Sequence, residues 1–280
     1  MNALELNHVE KHYPGFDLKL DLALPQGCIL GLIGANGAGK STTIRLLLGM
    51  ARADGGSITV LGKERGLGWY EDKELVGAVL DEPGYPATMT ARQIGDVLAG
   101  LYPNWDEAAF RGYLTRLDLP EDKKFKDFSR GMKMKLSIAA ALSHHAKLLI
   151  LDEPTSGLDP VVRDQVVEIF SEFTRRDDHT VLISSHIVSD LEKLCDYIAF
   201  LHKGELLLFE EKDRLLAEYG LLHTTAAALS ALDPAAVIGR RSTPYGVTAL
   251  VRRDAAPAGA ALDPVSIEDL FVTMAKEGDA

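Results

Sequence analysis

The chain has 280 residues, with 30 Lys plus Arg against 41 Asp plus Glu for a net charge of −11, and 46% apolar content. Those proportions fit one large globular domain, or one domain with a small appendage, and exclude a disordered or fibrous chain. The acidic balance argues against a bulk affinity for nucleic acid or an anionic lipid surface.

Segments 3–9, 17–24 and 57–61 read as short amphipathic strands, antiparallel and near a sheet edge. The apolar run 28–33 reads as a buried strand. It leads into Gly34-Ala35-Asn36-Gly37-Ala38-Gly39-Lys40-Ser41-Thr42, which fits the phosphate-binding pattern G-x-x-x-x-G-K-[ST]. A helix is predicted over 41–50. Glycines at 34, 37 and 39 let successive amides point inward at phosphate oxygens, and the helix N-terminus adds partial positive charge. Lys40 then reaches the β- and γ-phosphates, and the Ser41 hydroxyl ligates Mg²⁺.

A further strand is predicted at 75–80, whereas 84–145 is mostly helical. Within it, Asn104 reads as a helix N-cap with Glu107 three residues on. A helix over 131–145 precedes the strand 147–151, and a helix over 161–176 precedes the strand 180–184. Helix 188–195 and strand 197–201 follow, and Lys203-Gly204 reads as a hairpin turn. Strands alternating with helices imply parallel β built from right-handed crossovers, an α/β fold. From 221 to 262 the chain is rich in Ala and punctuated by Pro234 and Pro257. One strand at 246–251 and a closing helix at 266–276 are predicted there, with no chemistry beyond an accessory or docking role.

No apolar run approaches the roughly 18 residues a membrane-spanning helix needs. The start, Met1-Asn2-Ala3-Leu4-Glu5, lacks the basic and apolar regions of a secretory leader, so the chain is expected in the cytosol. Cys28 and Cys195 sit in separate apolar stretches without metal-ligand spacing and read as buried free thiols.

A nucleotide hydrolase needs a carboxylate for Mg²⁺ and a second group for the attacking water. Asp152 and Glu153, emerging at the C-terminal end of a buried strand neighbouring that of the phosphate loop, supply both: Asp152 for the metal, Glu153 as general base. Ser156 to Asp159 follow directly. Phe128-Ser129-Arg130-Gly131-Met132 opens a helix whose N-terminus is a second anion site. His186 ends the strand 180–184 at the same sheet edge and reads as functional.

Together these segments resemble the ATP-binding subunit of ABC transporters over about residues 3–220. Residues 34–42 match Walker A and 148–153 match Walker B. Residues 128–132 match the family signature, Ser156 to Asp159 the D-loop and His186 the switch histidine. Tyr13 falls where the family stacks an aromatic on adenine. The resemblance implies a P-loop NTPase domain (1–220) with a mainly parallel core sheet, an antiparallel β edge and a helical subdomain at about 84–145. A small accessory region covers 221–280. It also implies head-to-tail pairing, as a homodimer or with a different ABC ATPase. ATP held by Lys40, Ser41, Thr42 and the amides of Gly34, Asn36, Gly37, Ala38 and Gly39 is capped there by Ser129 and Gly131 of the partner, near Asp159. A separate transmembrane permease would place the chain at the inner face of the membrane; nucleic acid is not an expected partner.

Two segments depart from the family pattern. Arg130 and Met132 stand where Gly and Gln are usual, and Asp81 stands where the Q-loop glutamine is usual. A carboxylate at 81 can ligate Mg²⁺ or hold water, but when ionised it donates no hydrogen bond. Acidic residues at this position are similar to those of ABC-2-type exporters, including peptide-antibiotic resistance systems. The Tyr102-Pro103-Asn104-Trp105 segment resembles that branch too. The competing readings are an importer ATPase, which would keep the glutamine, and a soluble ABC ATPase acting on ribosomes or DNA. A single P-loop, the absence of a long heptad tract and the acidic charge disfavour the last.

Overall fold

The computed structural model describes residues 1–66, 73–243, 246–257 and 259–277. Strands β1 (Asn2–Tyr13), β2 (Phe16–Pro25) and β3 (Ile29–Ile33) lead into helix α1 (Lys40–Leu47). Strands β4 (Gly55–Val60), β5 (Lys63–Glu64) and β6 (Val76–Val79) precede helices α2 (Ala91–Leu101), α3 (Glu107–Arg116) and α4 (Arg130–Leu142). Next come β7 (Leu148–Asp152), α5 (Pro160–Phe173), β8 (Thr180–Ser185), α6 (Val188–Leu194), β9 (Tyr197–His202), β10 (Glu205–Glu211) and α7 (Lys212–Glu218). The C-terminal part holds β11 (Tyr219–Thr224), α8 (Ala226–Ser230), β12 (Val237–Thr243), β13 (Gly246–Arg252), β14 (Leu262–Asp263) and α9 (Ile267–Glu277).

Ten strands form one sheet in the order β5-β4-β1-β2-β10-β9-β3-β8-β7-β6. From β9 to β6 every neighbouring pair is parallel, whereas β1 pairs antiparallel with both β2 and β4. The expected parallel core with an antiparallel edge is the observed architecture. Every residue of β3, β7 and β8 is buried, as continuous apolar strands covered on both faces must be. Their side chains alternate between two cores. Ile29, Ile33, Leu149, Leu151, Val181 and Ile183 meet Ile138, Ile169, Phe170 and Leu191 from α4, α5 and α6 on one face. Leu30, Leu32, Leu148, Ile150 and Leu182 meet Ile44 and Leu47 of α1 and the leucines of β1 and β2 on the other. The apolar side of α1 is thereby held under β3, which fixes the loop joining them.

Three local expectations change. The helix predicted from Asn104 begins at Glu107, because Asp106 rather than Asn104 caps it: the Asp106 carboxylate accepts from Ala109 N at 2.8 Å. Glu107 instead takes the Trp105 indole N–H at 3.1 Å and Arg111 Nε at 2.8 Å. Helix α4 stops at Leu142, short of 145, where the Ser143 hydroxyl donates back to Ala139 O at 2.6 Å and His145 turns to positive φ. Cys28 is only half-buried, unlike the fully buried Cys195; desolvation pushes both thiols up, so neither readily forms a thiolate.

The C-terminal part carries more β-structure than its sequence suggests. The predicted strand at 246–251 is β13, an inner strand of an antiparallel sheet ordered β12-β13-β11-β14. Helix α9 packs between this sheet, on β12 and β13, and the main core: Ile267 and Leu270 are fully buried there, and the Phe271 ring lies 5.4 Å from that of Phe200 on β9. Phe200→Ala is expected to destabilise the fold by about 3–5 kcal/mol, through a cavity beside β9 and a loosened α9. Urea unfolding monitored by circular dichroism checks this.

Candidate nucleotide site

The phosphate loop occupies the step from β3 to α1. Gly34 runs against β9 so closely that a Cβ there would stand 2.6 Å from the Leu201 carbonyl oxygen. Gly39, the residue before the helix, has φ 114°, and a Cβ would meet Leu18 Cδ1 at 2.7 Å. A side chain at either position would force the loop off the sheet edge. No side chain among the described residues caps α1, so the amides of its first turn remain available to an anion. Lys40 is buried, and its Nζ donates to Gly34 O at 2.7 Å while lying 3.5 Å from Glu153 Oε1. Asn36, Gly37 and Ser41 are exposed at the mouth, with Ala38 buried beneath them.

The acidic pair is brought to this loop by a device the sequence did not reveal. Strand β8 stands between β3 and β7, so Walker A and Walker B are not on adjacent strands as expected. Ser184 of β8 bridges the gap. Its hydroxyl donates to Asp152 Oδ1 at 2.6 Å and accepts from Glu153 N at 3.1 Å. Glu153 has φ 51°, a conformation that non-glycine residues adopt at a cost and that must be held by its surroundings. The Ser184 hydroxyl and the Ser184 carbonyl, the latter 3.1 Å from Glu153 N, supply that hold. The Glu153 carboxylate is consequently fixed between two groups: Lys40 on one oxygen and His186 on the other, with Nδ1 at 2.7 Å and the His186 amide at 3.3 Å.

Lys40, Ser41, Thr42, Asp81, Asp152 and Glu153 line one cavity of about 450 Å³, with Ala35, Asn36, Gly37 and Gly39 forming its loop wall. Phe16 joins them from the start of β2 and is the lining residue that sequence reasoning missed; its signal was an aromatic three residues beyond Tyr13. Tyr13 itself lies outside this lining. It faces Phe16 across the β1–β2 turn, 41% exposed, with Lys11 Nζ 5.3 Å from its ring centre. The donor set of Ser41, Asp152 and Asp81 is hard oxygen chemistry, suited to Mg²⁺. No group of three or more acidic, His or Cys residues among the described residues forms a closed metal cage.

Ser129, Gly131 and Asp159 do not reach that cavity. Ser129 caps α4, its hydroxyl accepting from Met132 N at 3.2 Å, and is exposed. Asp159 caps α5, accepting from Val161 N and Val162 N at 3.1 Å each. Gly131 lies against the turn before α5, where a Cβ would be 3.3 Å from Leu158 Cδ2 and 3.6 Å from Gly157 O. These residues form a second cluster, apart from the phosphate loop of their own chain.

A protein-family model described as ABC transporter matches residues 18–156. The chain is 37% identical over 190 residues to a bacitracin transport ATP-binding protein of Bacillus licheniformis, covering 67% of this chain and 62% of that protein. It is 35% identical over 215 residues to a lantibiotic transport ATP-binding protein of Streptococcus pyogenes, covering 75% and 91%. Among solved structures, an ATP-binding subunit of an ABC transporter superposes with a TM-score of 0.69 at 27% identity, over 76% of this chain and 91% of that one. A dimeric post-hydrolysis ATP-binding cassette bound to ADP and Pi shares the fold alone, with a TM-score of 0.64 at 19% identity over 75% and 98%. The chain belongs to the ABC transporter family.

Proposed function

We propose that the chain powers an exporter of the peptide-antibiotic type through a separate transmembrane permease. The observation that carries this reading is the division of its site. One cavity holds the phosphate loop, Asp152 and Glu153, while Ser129 and Gly131 of the same chain do not line it. Head-to-tail pairing resolves the division, each chain capping the ATP of the other. The second subunit is another copy of this chain or a related ATPase. No helix among the described residues is long and apolar enough to cross a membrane, so movement of cargo falls to a partner. The chain then works at the cytoplasmic face.

In this reading the loop amides and Lys40 bind the triphosphate, and Ser41 and Asp152, with Asp81 beside them, hold Mg²⁺. The ion supplies charge neutralisation for the transferred phosphoryl group. Glu153, already oriented by Lys40 and His186, accepts the proton of the attacking water. Phe16 in the cavity lining, and Tyr13 opposite it across the β1–β2 turn, offer aromatic faces for adenine. Asp159 lies in the turn that meets the partner on closure. The segment from Asp81 to Pro86 and the helices after it pass closure to the permease.

A tagged chain drawn from membranes of its native cell is expected to bring down a protein with several predicted membrane spans, whose loss abolishes resistance to a peptide antibiotic. Recovery with ribosomes or DNA instead would contradict the proposal.

A further inference from the structure

Two of the three positions at which this chain departs from its family pattern, 81 and 130, touch each other. Arg130 NH2 donates to Asp81 Oδ1 at 2.7 Å. A glycine at 130 and a glutamine at 81 could not make this charge pair. Arg130 is the first residue of α4, between Ser129 and Gly131, so it belongs to the surface that caps the partner's ATP. Asp81 belongs to the other half-site, because it lines the chain's own nucleotide cavity. Asp81 also borders a second hollow with Glu82, Pro83, Arg130 and Lys133. Here two acids on the loop after β6 face two cations on α4. The Arg130 side chain is 60% exposed and spans the turn before α5, with NH2 3.5 Å from Ser156 Oγ. It is therefore tethered at its tip, yet free to leave.

Resting on the head-to-tail reading, we infer that Arg130 discriminates ATP from ADP in the partner, with Asp81 as its resting counter-ion. The physical argument is a competition for one guanidinium. An exposed Arg–carboxylate pair is worth about 0.2–1 kcal/mol and is readily exchanged. A terminal phosphate seated at the N-terminus of α4 offers Arg130 more negative charge and several acceptor oxygens, and takes it from Asp81. ADP brings no such group to that point, so Arg130 stays on Asp81 and the pair of chains stays apart. Loss of the γ-phosphate after hydrolysis returns Arg130 to Asp81 and favours opening. Arg130 is thus a specificity residue acting in trans, and Asp81 sets its threshold in cis.

The test uses the full chain carrying Glu153→Gln, which retains ATP, and measures by light scattering the ATP and ADP concentrations needed for pairing. Thermal unfolding of each variant checks the fold. Arg130→Gln is expected to raise the ATP requirement about ten-fold or more, the size of a lost charge-assisted contact, without changing binding of ATP to the single chain. Asp81→Asn is expected to shift the other way, lowering the ATP requirement about two- to five-fold, as removal of an exposed ion pair permits. It should also allow some pairing with ADP. The double variant is expected to match Arg130→Gln. Shifts of the same sign in the two single variants would overturn the inference. So would an altered Mg²⁺ requirement in Asp81→Asn with Arg130→Gln unchanged, which would leave Asp81 as a metal ligand only. Failure of the Glu153→Gln parent to pair with ATP would overturn the head-to-tail reading itself.

Discussion

Glu153→Gln is expected to lower steady-state ATP turnover by about 10²- to 10⁴-fold, the range of a positioned general base, while ATP still binds. The replacement keeps the shape of the side chain and one oxygen, so one of Lys40 and the His186 amide, which meet different oxygens of Glu153, retains an acceptor. What disappears is the oxygen proposed to take a proton from water. The surrounding structure is built around this single carboxylate. Its backbone is held at positive φ by Ser184, and its two oxygens are fixed by Lys40 at 3.5 Å and His186 Nδ1 at 2.7 Å. Phosphate release assayed alongside filter binding of labelled ATP separates the two effects. Turnover within a factor of a few of the parent would remove Glu153 from the chemical step.

Lys40→Ala is expected to weaken ATP binding about ten- to hundred-fold, corresponding to loss of a charged hydrogen bond of about 1.5–3 kcal/mol. Lys40 is the buried cation of the cavity, and the carboxylates of Asp152 and Glu153 lie in the same lining. Removing it takes away the phosphate partner and leaves two acids facing the incoming triphosphate, so the loss includes a repulsive part. Titration with a fluorescent ATP analogue measures it. Unchanged affinity would contradict the role of the loop.

Features set by short stretches of chain were legible in the sequence. The phosphate loop, the strand ending in Asp152 and the strand ending before His186 each rest on a local apolar run followed by polar residues at fixed offsets. Those strands are buried on both faces, so their composition alone betrays them. Features set by contacts far apart in the chain were not. Nothing near Ser184 signals that its hydroxyl tethers Asp152, because β8 and β7 come together only when the sheet forms. The Asp81–Arg130 pair joins residues on the loop after β6 and at the start of α4, and each looked like an isolated departure. Phe16 was overshadowed by Tyr13, although Phe16 faces the cavity. In the C-terminal part, β11 and β12 lack clean alternation: β12 contains Gly239, Arg240 and Arg241, and its pairing comes from β13. The shift of the α3 cap from Asn104 to Asp106 reflects which carboxylate meets the Ala109 amide once Trp105 is packed against Phe110.

The claim that each ATP site is assembled from two chains is open to one direct measurement. Lys40→Ala disables the phosphate loop but leaves Ser129 and Gly131 intact. Ser129→Asp keeps an N-cap for α4 but sets a carboxylate against the partner's triphosphate, leaving its own loop intact. Each variant alone is expected to hydrolyse ATP poorly. Mixed, they form pairs in which the intact loop of one chain meets the intact Ser129–Gly131 of the other, and turnover should return in the mixture. A mixture no more active than its separate components would contradict the shared site.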